Sequence, residues 1–209
     1  MERFRPCTSA FSSALERARE MLTLFDALKL MKAPPSVCND ALRAAWIQLV
    51  SSFDYHNHEV FAVEAAFRHS NSKAAKKIAV SLQVLAVQNP EERQQLFQQQ
   101  YRETISYKSF VSYDKILEAV SCFSEKGHEK IPMEFNALTG ENMSGDVIKG
   151  TINSIWQRRN KIAHEADINP AMAGIELWPI YRDDVSFAID FVERLAKAVQ
   201  KVVAHKLSD

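Results

Sequence analysis

No glycine occurs before Gly127, and the whole chain of 209 residues has five, with seven prolines. Together these are roughly half the share that an average chain carries. Sandwiches and barrels consume glycine in their turns, so an all-β architecture is nearly excluded. A length near 200 residues suits one domain that buries its core without disulfides or metals. The expectation is a single all-α domain over residues 1–209.

Hydrophobic period supports that reading. Phe11, Leu15, Ala18, Leu22, Phe25 and Leu28 step by fours and threes between Ser9 and Met31, which predicts a first amphipathic helix. Lys32-Ala-Pro-Pro35 breaks it, and Asn39 or Asp40 can cap a second helix carrying Leu42, Trp46, Leu49, Val50, Phe53, Val60 and Phe61. Further helices are predicted from Lys73 to about Val87 with Ser72 as cap, over 91–104, and from Ser112 to Ser124. Residues Gly127 to Gly145, with Pro132 between them, read as a loop. Ser144 or Asp146 opens a helix through about His164. Ala166 to Pro179 reads as irregular, and a last helix runs from about Arg182 to His205. The layout is all-helical, with several helices between the second helix and the one ending at His164.

Charge limits the partners. Twenty-six Lys and Arg balance 26 Asp and Glu. A protein that coats nucleic acid or membrane needs a broad basic field, so any polyanion must meet a local patch. The N-terminal residues are interrupted by charge, and no segment is long and apolar enough to span a membrane. A cytoplasmic protein with no membrane partner is expected. Cys7, Cys38 and Cys122 are widely spaced without a CxxC pair, which predicts reduced thiols and no zinc. No phosphate-binding glycine loop, nucleophile elbow or HExxH occurs, so neither a metal nor a cofactor is expected.

The chemistry concentrates in DVIKGTINSIWQRRNKIAHEA, residues 146 to 166. On a helical projection Ile148, Ile152, Ile155, Ile162 and Ala163 fall within about 60° of one line, with Arg159 at its centre. Arg158 and Lys161 lie on the polar side. A guanidinium cannot give up its proton and is costly to desolvate alone, so Arg159 requires a carboxylate, a phosphate or another subunit. Asn160 follows it directly. His164 lies about 140° further around an ideal helix, so it joins Arg159 only if the helix ends there or a second copy completes the site. The second helix has a similar anomaly: Asn57 falls near the centre of its apolar stripe and Asp54 on the flank. Packed beside the Arg159 helix, either could satisfy Arg159 or Asn160.

The run Arg159-Asn160-Lys161-Ile162-Ala163-His164 resembles the Arg-polar-x-x-x-His motif of HEPN domains (higher eukaryotes and prokaryotes nucleotide-binding). AAWIQLVSSFDYHNHEV is similar to the HEPN helix that carries an acidic residue, here Asp54. WPIYRDDVSFAIDFVERLAKAV resembles the closing helix. The nearest type is the bacterial RiboL-PSP-HEPN group, and the likeness extends over about residues 10 to 205. It implies an all-α, up-and-down helical bundle, with extra helices between the second and the motif-bearing one, that dimerises with its motifs facing, and a metal-independent endoribonuclease. Arg159 and His164 would be the catalytic pair, Asn160 an orienting group, and Asp54 and Asn57 supporting residues. Arg158 and Lys161 would contact RNA. A toxin or phage-defence effector is implied, with an antitoxin or defence-system partner. HEPN toxins modified by a partnered nucleotidyltransferase often have a tyrosine two residues after the histidine; Ala166 stands there in this chain, which argues against that modification.

Blander readings stand beside these. A HEPN-fold module could bind RNA, nucleotide or protein without cutting, and Arg159 could be a buried ion pair with Asp54. His56 and His58 diverge by about 200° on a helix, which argues against a metal pair and for surface or capping roles. Lys73, Lys76 and Lys77, near Arg68 and His69, form a short basic run that could guide RNA but usually marks a solvated face. Trp46 and Trp156 lie on or beside apolar stripes, as core or dimer anchors.

Overall fold

The computed structural model describes residues 2–73, 75–170 and 176–205. A 3-10 turn, Glu2–Phe4, leads into α1 (Arg5–Leu30), followed by α2 (Pro35–Ser70), α3 (Leu82–Ala86), α4 (Pro90–Ile105), α5 (Tyr113–Val120), α6 (Gly127–Thr139), α7 (Gly145–His164) and α8 (Arg182–Ala204). Among the described residues there is no strand, only an isolated antiparallel bridge between Ile168 and Leu177. The chain is the expected all-α bundle, with α3 to α6 inserted between α2 and α7.

Side-chain contacts fix the directions of the long helices. Phe11 of α1 stacks on His56 of α2 at 4.5 Å, and Arg3 pairs with Glu64 at 2.7 Å, so α1 and α2 run antiparallel. Thr8 meets Gln200 while Arg182 meets Asp26, which sets α8 antiparallel to α1. The core is filled by Leu15 of α1, Leu42, Leu49, Phe53 and Phe61 of α2, Ile148 and Ile152 of α7, and Val192, Leu195 and Val199 of α8. Burying one such side chain is worth about 1.5–3 kcal/mol, so these stripes decide the packing. At the far end, Arg68 and Glu64 are both buried and paired at 2.7 Å, and Arg68 also donates to the carbonyls of Phe123 and Val203. Arg68 therefore belongs to the core and not to a surface basic run.

Several boundaries differ from expectation. α1 starts at Arg5, ahead of Ser9, and α2 starts at Pro35 with neither Asn39 nor Asp40 as its cap. Proline at the first helical position costs nothing, because its missing N–H would have no intrahelical partner there. The helix expected from Lys73 to Val87 shrinks to Leu82–Ala86, capped by Ser81, whose hydroxyl accepts from the Val84 N–H. Lys77 has φ 59°, outside helical space, and the Lys76 N–H bonds the Cys122 carbonyl instead. α5 ends at Val120, short of Ser124.

The expected loop from Gly127 to Gly145 is corrected most: residues Gly127–Thr139 are helical despite Pro132. Ile131 and Phe135 are almost wholly buried one turn apart, and their burial offsets the roughly 3 kcal/mol that an interior proline costs. Of the expected irregular stretch Ala166 to Pro179, residues 171–175 lie outside the described residues.

Candidate functional site

α7 begins with Ser144, whose hydroxyl accepts from the Val147 N–H at 3.3 Å, and Ile148, Ile152 and Ile155 face the core. Past Ile155 the stripe leaves the core: Arg159 and Ile162 are half-buried, and Ala163 and His164 are exposed. Arg159 thus sits where an apolar line reaches the surface. Its Nη1 donates to Asn160 Oδ1 at 3.3 Å and lies 3.5 Å from His164 Nε2, while its Nε is buried with no acceptor. The angular gap between positions 159 and 164 is spanned by the length of the arginine side chain. His164 is also the last helical residue. A guanidinium only donates, so the contact is a hydrogen bond when Nε2 is unprotonated.

Behind this group the chain is locked. Ala166 and Asp167 take φ of 49° and 58°, turning the backbone away from α7. Asp167, 1 % exposed, holds Arg158 Nη1 and Nη2 each at 2.8 Å and Arg43 Nε at 2.8 Å. Arg158 also donates to the carbonyls of Trp178 and Pro179, and Arg43 to that of Trp178. Burial pulls the Arg158 guanidinium below its ordinary pKa, an effect opposed by Asp167. Arg158, expected to contact RNA, is therefore committed to an internal ion pair. Lys161 lies with its ammonium 4.5 Å from the Trp178 ring centre. Arg43, Asp167 and Trp178 are structural partners of the motif that sequence reading missed; an arginine within the first turns of α2 was the available signal.

The two polar residues of α2 do not pair with Arg159 or Asn160. Asp54 Oδ1 accepts from the Phe110 N–H at 2.6 Å, and Oδ2 accepts from the Ser109 hydroxyl at 3.3 Å. Asn57, fully buried, donates from Nδ2 to the Phe110 carbonyl at 2.8 Å. The backbone of one residue, Phe110, is held on both its N–H and its carbonyl, which belong to adjacent peptide units. Asn57 thereby lies inside the fold, away from the exposed motif, whereas Asp54 and Arg159 line the same cleft of about 270 Å³, together with Tyr55, His58 and Trp156.

His56 is neither at the surface nor a cap. It is 2 % exposed and burial lowers its pKa to about 4. His58 Nε2 donates to the Lys108 carbonyl at 3.0 Å. Trp46 is a core residue whose indole N–H donates to the Ile155 carbonyl at 2.9 Å, and Trp156 is half-buried at the cleft. Of the basic run, Lys76 pairs with Glu125 and His69 stacks on Phe97. Among the described residues no group of three or more His, Cys, Asp or Glu is placed to hold a metal ion, and no helix is long and apolar enough to cross a membrane.

The model of the RiboL-PSP-HEPN family matches residues 12–205. Neither the curated proteins nor the solved structures give a match.

Proposed function

The chain belongs to the RiboL-PSP-HEPN family, and we propose that it is a metal-independent endoribonuclease with Arg159 and His164 as its catalytic pair. HEPN domains are often ribonucleases. The observation that carries the reading is the meeting of Arg159 and His164 at 3.5 Å at the surface, with the arginine Nε buried and without an acceptor. A half-buried guanidinium that pairs with no carboxylate, beside an exposed imidazole, is arranged to receive a phosphodiester.

In the proposed reaction the ribose 2′-oxygen attacks phosphorus and its proton passes to His164 Nε2. The bond from phosphorus to the 5′-oxygen breaks, and that oxygen takes a proton from an imidazolium. Arg159 donates to the phosphorane oxygens as negative charge builds on them. Asn160 accepts from Arg159 and orients its fork. Products are a 2′,3′-cyclic phosphate and a 5′-hydroxyl, so DNA, lacking the nucleophile, resists. Two proton transfers at one phosphate suit two histidines, so the working unit is a homodimer in which the partner's His164 protonates the leaving group. Lys161 adds positive charge at the rim. Such an enzyme, restrained by an antitoxin or a defence-system partner, would act as a toxin or phage-defence effector.

The test incubates pure protein with total RNA in EDTA beside the His164→Ala and Arg159→Ala variants. New 2′,3′-cyclic phosphate ends are expected with the wild type alone. Equal RNA decay with all three proteins defeats the assignment.

A further inference from the structure

The cleft between α2 and α7 contains more than a phosphate ligand requires. It is lined by Ser51, Asp54, Tyr55, Ser109, Trp156 and Arg159, and its volume of about 270 Å³ falls just below the range of drug-sized sites. Tyr55 is 54 % exposed and Trp156 half-buried, so two aromatic side chains reach the same small space. Aromatic rings hold unstacked bases in single-stranded RNA. The carboxylate of Asp54 is fixed by the Phe110 N–H and the Ser109 hydroxyl, one on each oxygen. Each oxygen keeps a lone pair for a ligand. His58 gives its Nε2–H to the Lys108 carbonyl at 3.0 Å; the same nitrogen lies 3.7 Å from Asp54 Oδ1, beyond hydrogen-bond distance.

We propose that this cleft is a nucleobase subsite that selects guanine in the nucleotide next to the phosphate held by Arg159. The inference rests on the ribonuclease reading of Arg159 and His164 and adds the identity of the base beside the cut. A carboxylate accepts two parallel hydrogen bonds best from two neighbouring donors on one edge. Guanine presents such an edge, N1–H beside the N2 amino group. Adenine and cytosine each set their amino group next to a ring acceptor, and uracil sets its single N–H between two carbonyls. Each of those three turns at least one acceptor toward Asp54 and leaves part of the carboxylate unsatisfied. Tyr55 and Trp156 add affinity for any base, so the carboxylate carries the discrimination.

The test titrates the wild-type protein, in EDTA, with the 3′-monophosphates of guanosine, inosine, adenosine, cytidine and uridine, followed by calorimetry. Guanosine 3′-monophosphate should bind about tenfold or more tighter than the uridine compound, as a hydrogen bond to a charged group requires. Inosine 3′-monophosphate, which lacks only the N2 amino group, should lose most of that advantage without any change to the protein. Asp54→Asn should lower the guanosine-to-uridine ratio toward one, while Arg159→Ala should weaken all five ligands together and keep the ratio. Equal binding of guanosine and uridine compounds, undiminished binding of the inosine compound, or no binding at millimolar concentration overturns the subsite. Sequencing the ends cut from total RNA separates the two claims. Cleavage with no guanine at a flanking position leaves the ribonuclease standing and removes the subsite; guanine-selective binding without cleavage does the reverse.

Discussion

Arg158 and Asp167, nine residues apart, form a two-oxygen ion pair that also holds Arg43 of α2, and the three charges tie the end of α7 to the start of α2. Removing one partner of such a buried group leaves an uncompensated charge, which costs about 3–5 kcal/mol. Asp167→Ala should therefore lower unfolding stability by about that amount. Urea denaturation measures it, and a loss below about 1 kcal/mol would show that water replaces the carboxylate freely.

His164 is exposed, so its replacement should separate activity from stability. His164→Ala should slow RNA cleavage by about 10²–10⁴-fold, the usual worth of a general acid or base. Its melting midpoint should stay close to that of the wild type, since exposed substitutions shift stability by about 0.5 kcal/mol or less. Arg159→Lys should also lose most activity, because a point charge does not reproduce the guanidinium fork. Rates and melting curves on the same preparations decide both points.

Mixing tests the shared site. If each cut needs a histidine from both copies, co-refolded mixtures of wild type and His164→Ala should show activity that follows the square of the wild-type fraction. A linear dependence would mean that each copy cuts alone.

The neutral His56 makes stability depend on pH. Its pKa is about 4 in the fold against an ordinary value of 6.5. Above pH 6.5 the ring is neutral in both states and its contribution is fully present. As pH falls below 6.5 the unfolded chain takes up the proton and the folded chain does not, so stability drops until about pH 4 and then levels. The loss is about 3 kcal/mol at 1.36 kcal/mol per unit. His56→Leu should flatten this part of the stability profile relative to wild type, whereas two parallel profiles would contradict the assignment.

Two glycines should respond with opposite signs. A methyl at Gly127 would lie 2.9 Å from Val120 Cγ1, so Gly127→Ala should destabilise by about 1–3 kcal/mol. Gly150, inside α7, has open space where a Cβ would go, and Gly150→Ala should stabilise by about 0.5–1 kcal/mol. Thermal denaturation of the pair checks the contrast.

The long helices were legible because their stripes repeat over many turns, as from Phe11 to Leu28 or Ile148 to Ile155. The helix Gly127–Thr139 was hidden by the two residues that most strongly announce a loop, glycine and proline, although Ile131 and Phe135 keep a one-turn spacing. At the site, Arg159 stood out because a charge interrupted an apolar line. Its partner His164 points elsewhere on an ideal projection, which assigns each residue a direction and ignores that an arginine side chain can reach across more than one turn. Asn57 and Asp54 looked like one signal on one helix. Only the path of the chain through Phe110 separates them, because that residue's carbonyl takes buried Asn57 while its N–H takes Asp54 at the cleft. Nothing in a single sequence announces that Phe110 passes there, nor that Asp167 lies against Arg43.

The double grip on Phe110 joins Asp54 and Asn57 into one heritable unit. Replacing Asn57 with leucine leaves the Phe110 carbonyl without its donor and loosens the backbone of the residue whose N–H also holds Asp54. Lengthening the connection between α4 and α5 by one residue does the same from the other side. Divergent copies of this chain should therefore keep or lose the three features together: the carboxylate, the carboxamide and the length of the segment between Ile105 and Tyr113.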